Sequence, residues 1–241
     1  MDSTPQKNEL SAVVLEAQAL GYRLTQEAGE LIILDDINLS VYQGESLAIL
    51  GPSGSGKSTL LALLAGLDVP TQGQLTWRQQ PFSQLDEDAR ALVRAQEVGF
   101  IFQSFQLLPE LTALENVALP LELRGEKSAL AMARQHLEQV GLAARAQHRP
   151  HQMSGGEQQR VAIARAFAAQ PQVLFADEPT GNLDGDNGAK VADLLFALND
   201  QTSQPLTLIL VTHDEGLAQR CQRIVRLKSG RIDAIEPGGV A

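Results

Sequence analysis

A glycine-rich loop between an apolar strand and an apolar helix is the feature that most constrains this fold. The run "ESLAIL" leads directly into "GPSGSGKS", and "STLLALLAGL" follows as a helical pattern that ends near Gly66. The loop matches G-x-x-x-x-G-K-[ST] in the strand–loop–helix setting that such a phosphate-binding loop requires. Backbone N–H groups of the loop point at the phosphates, and the helix start adds the positive end of its dipole. The sequence therefore predicts nucleotide binding.

The individual loop residues are expected to have different roles in nucleotide binding. Lys57 is expected to reach the β- and γ-phosphates, and Ser58 to ligate Mg²⁺. A flexible glycine turn is the alternative, but the surrounding strand and helix argue against it. The residues expected to contact the nucleotide here are Gly51, Pro52, Ser53, Gly54, Ser55, Gly56, Lys57, Ser58 and Thr59.

Three further strand ends carry side chains suited to phosphate chemistry. "VLFADE" ends in Asp177, which can hold Mg²⁺, and Glu178, which is then the candidate base for the attacking water. A solvated acidic turn would be the favoured interpretation of an isolated "DE". Gln103 follows the strand-like "GFIF", where its amide could contact Mg²⁺ or the water, and His213 ends "LVTH", where it could touch the γ-phosphate. Taken singly, each would more often be an ordinary loop residue or a histidine with satisfied hydrogen bonds. Open α/β sheets bind ligands at strand ends, however, which favours a shared site.

The apolar runs predict how the core is built. "VLFADE" and "LTLILVTHD" are nearly continuous apolar runs, which is typical of strands buried on both faces of a parallel sheet covered by helices. Nearer the start, "AVVLEAQAL" and "LIILDDINLSV" are strand patterns. Ile37, Leu39 and Val41 alternate with polar neighbours in the second, as in a half-buried antiparallel strand. "GQLTWRQQPF" again predicts a strand.

Residues from about 84 to 150 have a helical and more polar pattern. Thr112 and Glu115 form a capping box for a helix that Pro120 is expected to kink or end. "SALAMARQHLEQVGL" is a second helix, whose apolar face and stop signal are Leu130, Ala133, Leu137, Val140 and then Gly141.

Charge and composition narrow the possible partners. The 241 residues carry a formal net charge of −10 without any block of Lys or Arg, which argues against a nucleic-acid partner, since a phosphate backbone needs a basic surface. A single cysteine excludes an internal disulfide. Residues 1–10 are expected to be a flexible tail without a secretory signal, and no apolar run is long enough to cross a bilayer. Work at a membrane would then require another chain as anchor.

A second glycine pair, in "MSGGEQQR", lies at the start of another predicted helix. Ser154 and Glu157 form a capping box, so a helix start alone could explain the motif. The box does not require Gly155 and Gly156, however, because glycine weakens a first helical turn. Two glycines there would let a bulky anion such as a γ-phosphate approach the backbone amides. The residues alone leave open why one nucleotide would need two such helix starts.

Taken together and in order, these motifs resemble the ATP-binding subunits of ABC transporters across essentially the whole chain. Within that family, "AGLDVPTQG", "GFIFQSFQLLPELTALENVALPL" and "DEPTGNLD" are similar to the branch of lipoprotein-releasing, macrolide-export and YbbA-type ATPases, most of all the last. The resemblance implies an α/β P-loop NTPase (RecA-like) parallel sheet core with an antiparallel β subdomain and a helical subdomain. It implies a single domain spanning 11–241, with the helical part inserted at about 104–158.

The resemblance also answers the question of the second glycine loop. In this family two subunits pair head to tail, and each ATP lies between the phosphate loop of one and the second glycine loop of the other. Ser154, Gly155 and Gly156 would then contact the partner's γ-phosphate, and Asp184 in "NLD" would communicate across the dimer. Tyr22 would stack on adenine, its alternative role being that of a strand side chain.

Two departures and one surface complete what the resemblance implies. Met153 and Glu157 replace the usual leucine and glutamine of the second loop, and neither change removes a phosphate contact. Residues 103–123 would form part of a groove that receives a coupling helix from a permease. Core packing explains many of the leucines in that stretch equally well.

The resemblance implies an ATPase, with ATP and Mg²⁺, that powers a separate integral membrane permease of an export or lipoprotein- and lipid-extraction type. The chain would sit in the cytoplasm, on the inner face of the cell membrane through its permease. The alternative is an ATP-dependent regulatory partner of a membrane protein without transport. A third possibility is a soluble ABC ATPase of DNA repair or translation, but those usually carry tandem cassettes, long coiled coils or zinc modules. Separating the first two requires the identity of the partner.

Overall fold

The computed structural model describes residues 12–26, 29–200 and 205–239, so the predicted tail at 1–10 lies outside the described residues. The strands are β1 Val13–Gln26, β2 Gly29–Tyr42, β3 Ser46–Leu50, β4 Gln72–Trp77, β5 Val98–Ile101, β6 Val173–Asp177, β7 Thr207–Thr212, β8 Arg223–Lys228 and β9 Arg231–Pro237. The α-helices are α1 Lys57–Leu64, α2 Glu87–Glu97, α3 Ala113–Leu123, α4 Ala129–Gln139, α5 Gly155–Ala168, α6 Gly185–Asp200 and α7 Glu215–Ala218.

The larger sheet has the strand order β5-β6-β7-β3-β8-β9 over the described ranges. Pairing is parallel from β5 to β8, and β9 adds an antiparallel edge. Every residue of β7 is buried, as its continuous apolar run predicts for a central strand covered on both faces. The predicted parallel core is confirmed, and β5, β6, β7 and β3 present their carboxyl ends at one edge.

The smaller sheet is antiparallel, with the order β2-β1-β4. Ile37, Leu39 and Val41 are buried on β2, which confirms the alternation that the sequence shows. The predicted strand "GQLTWRQQPF" was too long, because β4 ends at Trp77. Arg78 and Gln79 adopt left-handed φ values of 48° and 66°, which turn the chain out of the sheet.

Helix α1 lies between the two sheets. Its leucines Leu60, Leu61, Leu63 and Leu64 share one apolar cluster with residues of both sheets. On the opposite face of the larger sheet, residues of α5, α6 and α7 pack against the strands. Because α1 is held from both sides, the loop at its start rests on a rigid base.

Helices α3, α4 and α5 form a separate apolar cluster. The capping box of Thr112 and Glu115 is confirmed at the start of α3. The helix does not end at Pro120 but continues to Leu123, because the burial of Val117, Ala118 and Leu121 offsets the backbone hydrogen bond that proline removes. Within the described residues no helix is long and apolar enough to span a membrane.

The apolar face of α4 is rotated from the predicted one. Ala133, Leu137 and Val140 are buried as expected, but Leu130 is 51% exposed. Ala129 takes the first place in the buried stripe, so that the stripe follows a spacing of four residues and turns away from Leu130. The stop signal is confirmed, since Gly141 follows the helix with φ +71°.

Candidate nucleotide-binding site

The phosphate-binding loop, Gly51 to Ser58, connects the end of β3 to the start of α1. Gly56 caps the helix with φ +98°, a conformation that favours glycine. A Cβ atom there would lie 2.8 Å from Leu34 Cδ2 and 3.0 Å from the carbonyl oxygen of Ile33. Gly56 therefore meets both a backbone and a space requirement, and strand β2 packs directly on the loop.

Lys57 is folded back onto the loop that contains it. Its side chain is 8% exposed, and Nζ lies 3.9 Å from Glu178 Oε1. Nζ donates hydrogen bonds to the carbonyl oxygens of Gly51 at 2.9 Å and Pro52 at 3.1 Å. A nearly buried ammonium group is costly without anionic partners. Glu178 supplies one such partner, and the two carbonyl oxygens are neutral acceptors that phosphate oxygens could replace, since Lys57 lines the cavity beside the loop.

Ser58 and Asp177 meet across the gap between α1 and β6. The Ser58 hydroxyl donates a hydrogen bond to Asp177 Oδ1 at 3.2 Å. Burial raises the pKa of Asp177, the neighbouring Glu178 charge adds to this rise, and the Ser58 hydrogen bond opposes it. A half-buried carboxylate beside a hydroxyl supplies the hard oxygen ligands that Mg²⁺ prefers. The pair therefore fits the predicted magnesium site.

Glu178 is held at the end of β6 by groups from neighbouring strands. Both of its carboxylate oxygens lie 3.0 Å from His213 Nδ1, and the Thr212 hydroxyl lies 3.4 Å from Oε2. Because an ionised carboxylate only accepts, Nδ1 of His213 carries the proton. Glu178 also has a left-handed φ of 45°, which costs about 1–3 kcal/mol for a residue with a side chain. Such strain is consistent with a side chain held in one direction.

Gln103 is fixed by a residue that the sequence analysis did not single out. Its Nε2 donates to Asn182 Oδ1 at 3.2 Å, and Asn182 Nδ2 donates to the Gln103 carbonyl oxygen at 2.8 Å. Asn182 lies inside the motif "DEPTGNLD", but no local pattern indicates a pairing across 79 residues.

The backbone after Gln103 is anchored to helix α5. Phe105 and Gln106 have left-handed φ values of 61° and 47°. Arg165 donates hydrogen bonds to the carbonyl oxygens of Phe105 at 3.0 Å and Gln106 at 2.6 Å. The unusual conformation of these two residues is therefore maintained by a side chain of another element.

A cavity of about 720 Å³ joins these groups at the carboxyl edge of the sheet. Of the predicted loop residues, Gly51 and Ser55 do not line it; Ser55 is buried behind the loop. Asp177 reaches the site through Ser58 rather than through the cavity wall. The lining residues are Ile33, Pro52, Ser53, Gly54, Gly56, Lys57, Ser58, Thr59, Gln103, Glu178 and His213.

The second glycine loop does not line this cavity. Ser154 caps α5, and its capping box with Glu157 is confirmed. The amides of Gly155 and Gly156 are the first donors of α5, which a helix cannot satisfy internally. A Cβ atom at Gly155 would meet only ordinary contacts, 3.5 Å from Leu183 and 3.7 Å from Phe105. Close packing within the chain therefore does not explain this glycine.

Asp184 and Tyr22 also lie outside the cavity lining. Asp184 accepts hydrogen bonds from the backbone N–H of Asn187 at 3.0 Å and from its side chain at 2.9 Å, and these lower the pKa of Asp184. The Tyr22 hydroxyl donates to Asp68 Oδ2 at 2.5 Å. The single chain therefore brings together the phosphate loop, Asp177, Glu178, Gln103 and His213. The other residues predicted to contact the nucleotide lie outside this cavity: Tyr22, Ser154, Gly155, Gly156 and Asp184.

The site is that of a P-loop nucleoside triphosphatase. It combines a phosphate loop and its buried Lys57 with the adjacent Ser58–Asp177 pair and with Glu178, which neighbouring strands hold in place. The chain belongs to the ABC transporter family, whose model matches residues 34–181. It is an ATP-binding subunit of the ABC type, and an ATPase by family.

Individual relatives extend this result over most of the chain. The ABC transporter ATP-binding protein YbbA of Escherichia coli strain K12 is 55% identical over 91% of this chain and 96% of its own length. The lipoprotein-releasing system ATP-binding protein LolD of Legionella pneumophila strain Paris is 45% identical over 94% of this chain and all of its own. The solved ATP-binding cassette MJ0796, in a dimeric post-hydrolysis state bound to ADP and Pi, has a TM-score of 0.85 and 38% identity over 92% of this chain and 98% of its own.

Proposed function

We propose that this chain hydrolyses ATP as one half of a head-to-tail dimer that powers a separate membrane permease of an export or lipoprotein-extraction type. The observation that carries the proposal is the cavity lined by Lys57, Ser58 and Glu178. Gly155 and Gly156, at the start of α5, lie outside this cavity and are therefore free to serve the site of a second copy. The names of YbbA and LolD support the transporter role. We further propose one domain over 11–241, with a helical subdomain at about 104–158.

The phosphate loop would hold the triphosphate through its backbone amides and Lys57. Phosphate oxygens would replace the carbonyl oxygens of Gly51 and Pro52 as partners of Nζ. Ser58 and Asp177 would hold Mg²⁺, with Gln103 as a further ligand at the cavity wall. When bound, the ion would neutralise charge on the phosphates.

Glu178 would accept the proton of the attacking water as that water adds to the γ-phosphorus and the bond to ADP breaks. His213 Nδ1 and Thr212 hold the carboxylate in place, and the other ring nitrogen of His213 would donate to the γ-phosphate when both ring nitrogens carry a proton. ATP and water give ADP and phosphate, and the proton on Glu178 returns to solvent.

The second glycine loop would complete the site of another copy of this chain. The first amides of α5, at Gly155 and Gly156, would bind the partner's γ-phosphate with Ser154, and the helix dipole favours an anion there. Asp184 would then lie at the contact between the copies. The dimeric state of MJ0796 with ADP and Pi supports this arrangement.

The shared site is tested by two variants that damage different halves of it. Gly155→Asp should place a carboxylate against the partner's phosphate, and a Cβ atom at Gly155 would meet only ordinary contacts within the chain. The variant should bind ATP as a monomer but neither dimerise with ATP nor hydrolyse it. Gly155→Asn is the matched control of the same size without the charge, and it should retain more dimer.

Mixing Gly155→Asp with Lys57→Ala should restore activity in part. A mixed dimer has one doubly damaged site and one site built from two undamaged loops. If one site suffices, an equal random mixture should reach about a quarter of the wild-type rate, because roughly half of its dimers carry one working site of two. Hydrolysis by Gly155→Asp alone at the wild-type rate would contradict the shared site.

The permease would dock on the surface formed by residues 103–123 and hold the chain at the cytoplasmic face of the membrane. Glu110 and Leu108 are exposed there, Leu108 at 43%. Residue Gln103 at the start of this stretch also lines the nucleotide cavity, so a partner on this surface would be close to the hydrolysis site.

A further inference from the structure

We propose that Asp68 is a positioning residue for nucleotide recognition: it holds the ring of Tyr22 in the orientation that stacks on the base. The inference rests on the proposed stacking role of Tyr22, and it adds a residue from the loop that follows α1 to the recognition of adenine.

The hydrogen bonds of Asp68 use both of its carboxylate oxygens. Oδ2 accepts from the Tyr22 hydroxyl at 2.5 Å, and Oδ1 accepts from the backbone N–H of Val69 at 2.7 Å. The second bond fixes the carboxylate plane, so the first fixes the far end of the aromatic ring. A hydrogen bond to an ionised acceptor is shorter and stronger than a neutral one.

The strand backbone on each side of Tyr22 is anchored independently, by Thr71. The Thr71 hydroxyl donates to the carbonyl oxygen of Gly21 at 3.2 Å and accepts from the N–H of Arg23 at 3.0 Å. The Thr71 N–H also donates to the Gly21 carbonyl oxygen at 3.0 Å. Since these bonds fix the backbone, the remaining freedom of Tyr22 lies in its side-chain torsions, and Asp68 limits them.

Tyr22 lies one strand away from the wall of the nucleotide cavity. It pairs with Leu34 of β2, whose Cδ2 atom packs against Gly56 of the phosphate loop. Ile33, the neighbour of Leu34, lines the cavity. On the other side, α1 starts at Lys57 and runs towards Asp68. The position of the Tyr22 ring relative to the phosphate loop is therefore set both by strand β2 and by helix α1.

The test compares a ligand that has a base with one that lacks it. Dissociation constants for ATP and for inorganic tripolyphosphate, both with Mg²⁺, are measured on the full chain. Stacking on an aromatic ring contributes enough that Tyr22→Ala should weaken ATP binding roughly 5- to 100-fold. Asp68→Ala and Tyr22→Phe should each weaken it by a smaller factor, roughly three- to tenfold. None of the three should change tripolyphosphate binding.

Two further variants separate positioning from a general structural effect. Asp68→Asn keeps an acceptor oxygen and should restore most of the ATP affinity. In a Tyr22→Ala background, Asp68→Ala should cause no additional loss, because no ring remains to be positioned.

Each contrary outcome overturns a different statement. If Tyr22→Ala weakens ATP binding while Asp68→Ala and Tyr22→Phe do not, positioning by Asp68 is wrong and stacking stands. If Tyr22→Ala binds ATP like wild type, the stacking role fails and the inference fails with it. Equal weakening of ATP and tripolyphosphate by Asp68→Ala would make Asp68 a structural residue only.

Discussion

Replacing Glu178 with glutamine removes one negative charge and keeps the length and shape of the side chain. The amide oxygen can still accept the Thr212 hydroxyl, which lies 3.4 Å from Oε2 in the native site. The group that disappears is the proposed proton acceptor for water. Loss of a general base lowers a rate about a hundred- to ten-thousand-fold, equivalent to about 3–5.5 kcal/mol of transition-state stabilisation.

ATP binding by this variant should be unchanged or tighter. Glu178 Oε1 lies 3.9 Å from Lys57 Nζ, in a cavity that receives a polyanion, so removing its charge removes repulsion. The assay combines the ATPase rate at saturating ATP and Mg²⁺, the ATP dissociation constant, and gel filtration, where an ATP-bound dimer should accumulate.

Glu178→Asp is the matched control, since it keeps the charge but withdraws it by one methylene group. Its rate should lie between those of wild type and Glu178→Gln. Turnover by Glu178→Gln within tenfold of wild type, with normal ATP binding, would refute the assignment of Glu178 as the base.

Three other substitutions test separate parts of the site and surface. Asp177→Asn should abolish Mg²⁺-dependent hydrolysis yet raise the melting temperature of the nucleotide-free protein at pH 7. Burial raises the pKa of Asp177, so the ionised carboxylate destabilises the native fold at pH values above that pKa. The gain in melting temperature should therefore vanish below the ordinary pKa range of aspartate, which thermal melts across pH would measure. Asn182→Ala releases the Gln103 amide and should lower the ATPase rate about tenfold with little change in ATP affinity. Steady-state kinetics would measure both, and an unchanged rate would show that the pairing is dispensable. Glu110→Lys should reduce permease-stimulated ATPase and membrane copurification while basal ATPase stays intact, because rim charges affect encounter with a partner. Glu115→Gln, which can keep its capping box, is the control that drops a nearby charge, and unchanged copurification for Glu110→Lys would place docking elsewhere.

Those parts of the site that are continuous in sequence could be predicted from it. The strand, glycine loop and helix around Lys57 form one local unit, so spacing alone indicates their geometry. Asp177 and His213 follow apolar runs, and parallel strands bring such ends together. The contacts of Asn182 with Gln103 and of Asp68 with Tyr22 join distant segments, and no periodicity records them.

The errors have local causes of a similar kind. Leu130 has the spacing of a buried face, but Ala129 fills that place once α4 packs on its neighbours. The sequence predicts a strand through "RQQPF", but β4 ends before Arg78 and Gln79, which adopt left-handed conformations. Neither residue is a glycine or an asparagine, so the sequence does not indicate this turn. Pro120 stays inside α3 because tertiary packing outweighs a local preference.

The two anchors around Ser104 divide this part of the chain sharply. Gln103 is tied to Asn182, which follows β6, whereas Phe105 and Gln106 are tied to Arg165 of α5. The turn between these two attachments is closed by a hydrogen bond from the Phe105 N–H to the carbonyl oxygen of Phe102 at 3.1 Å. A displacement of α5 relative to the sheet would therefore load this short turn, whose first residue beyond β5 that lines the cavity is Gln103.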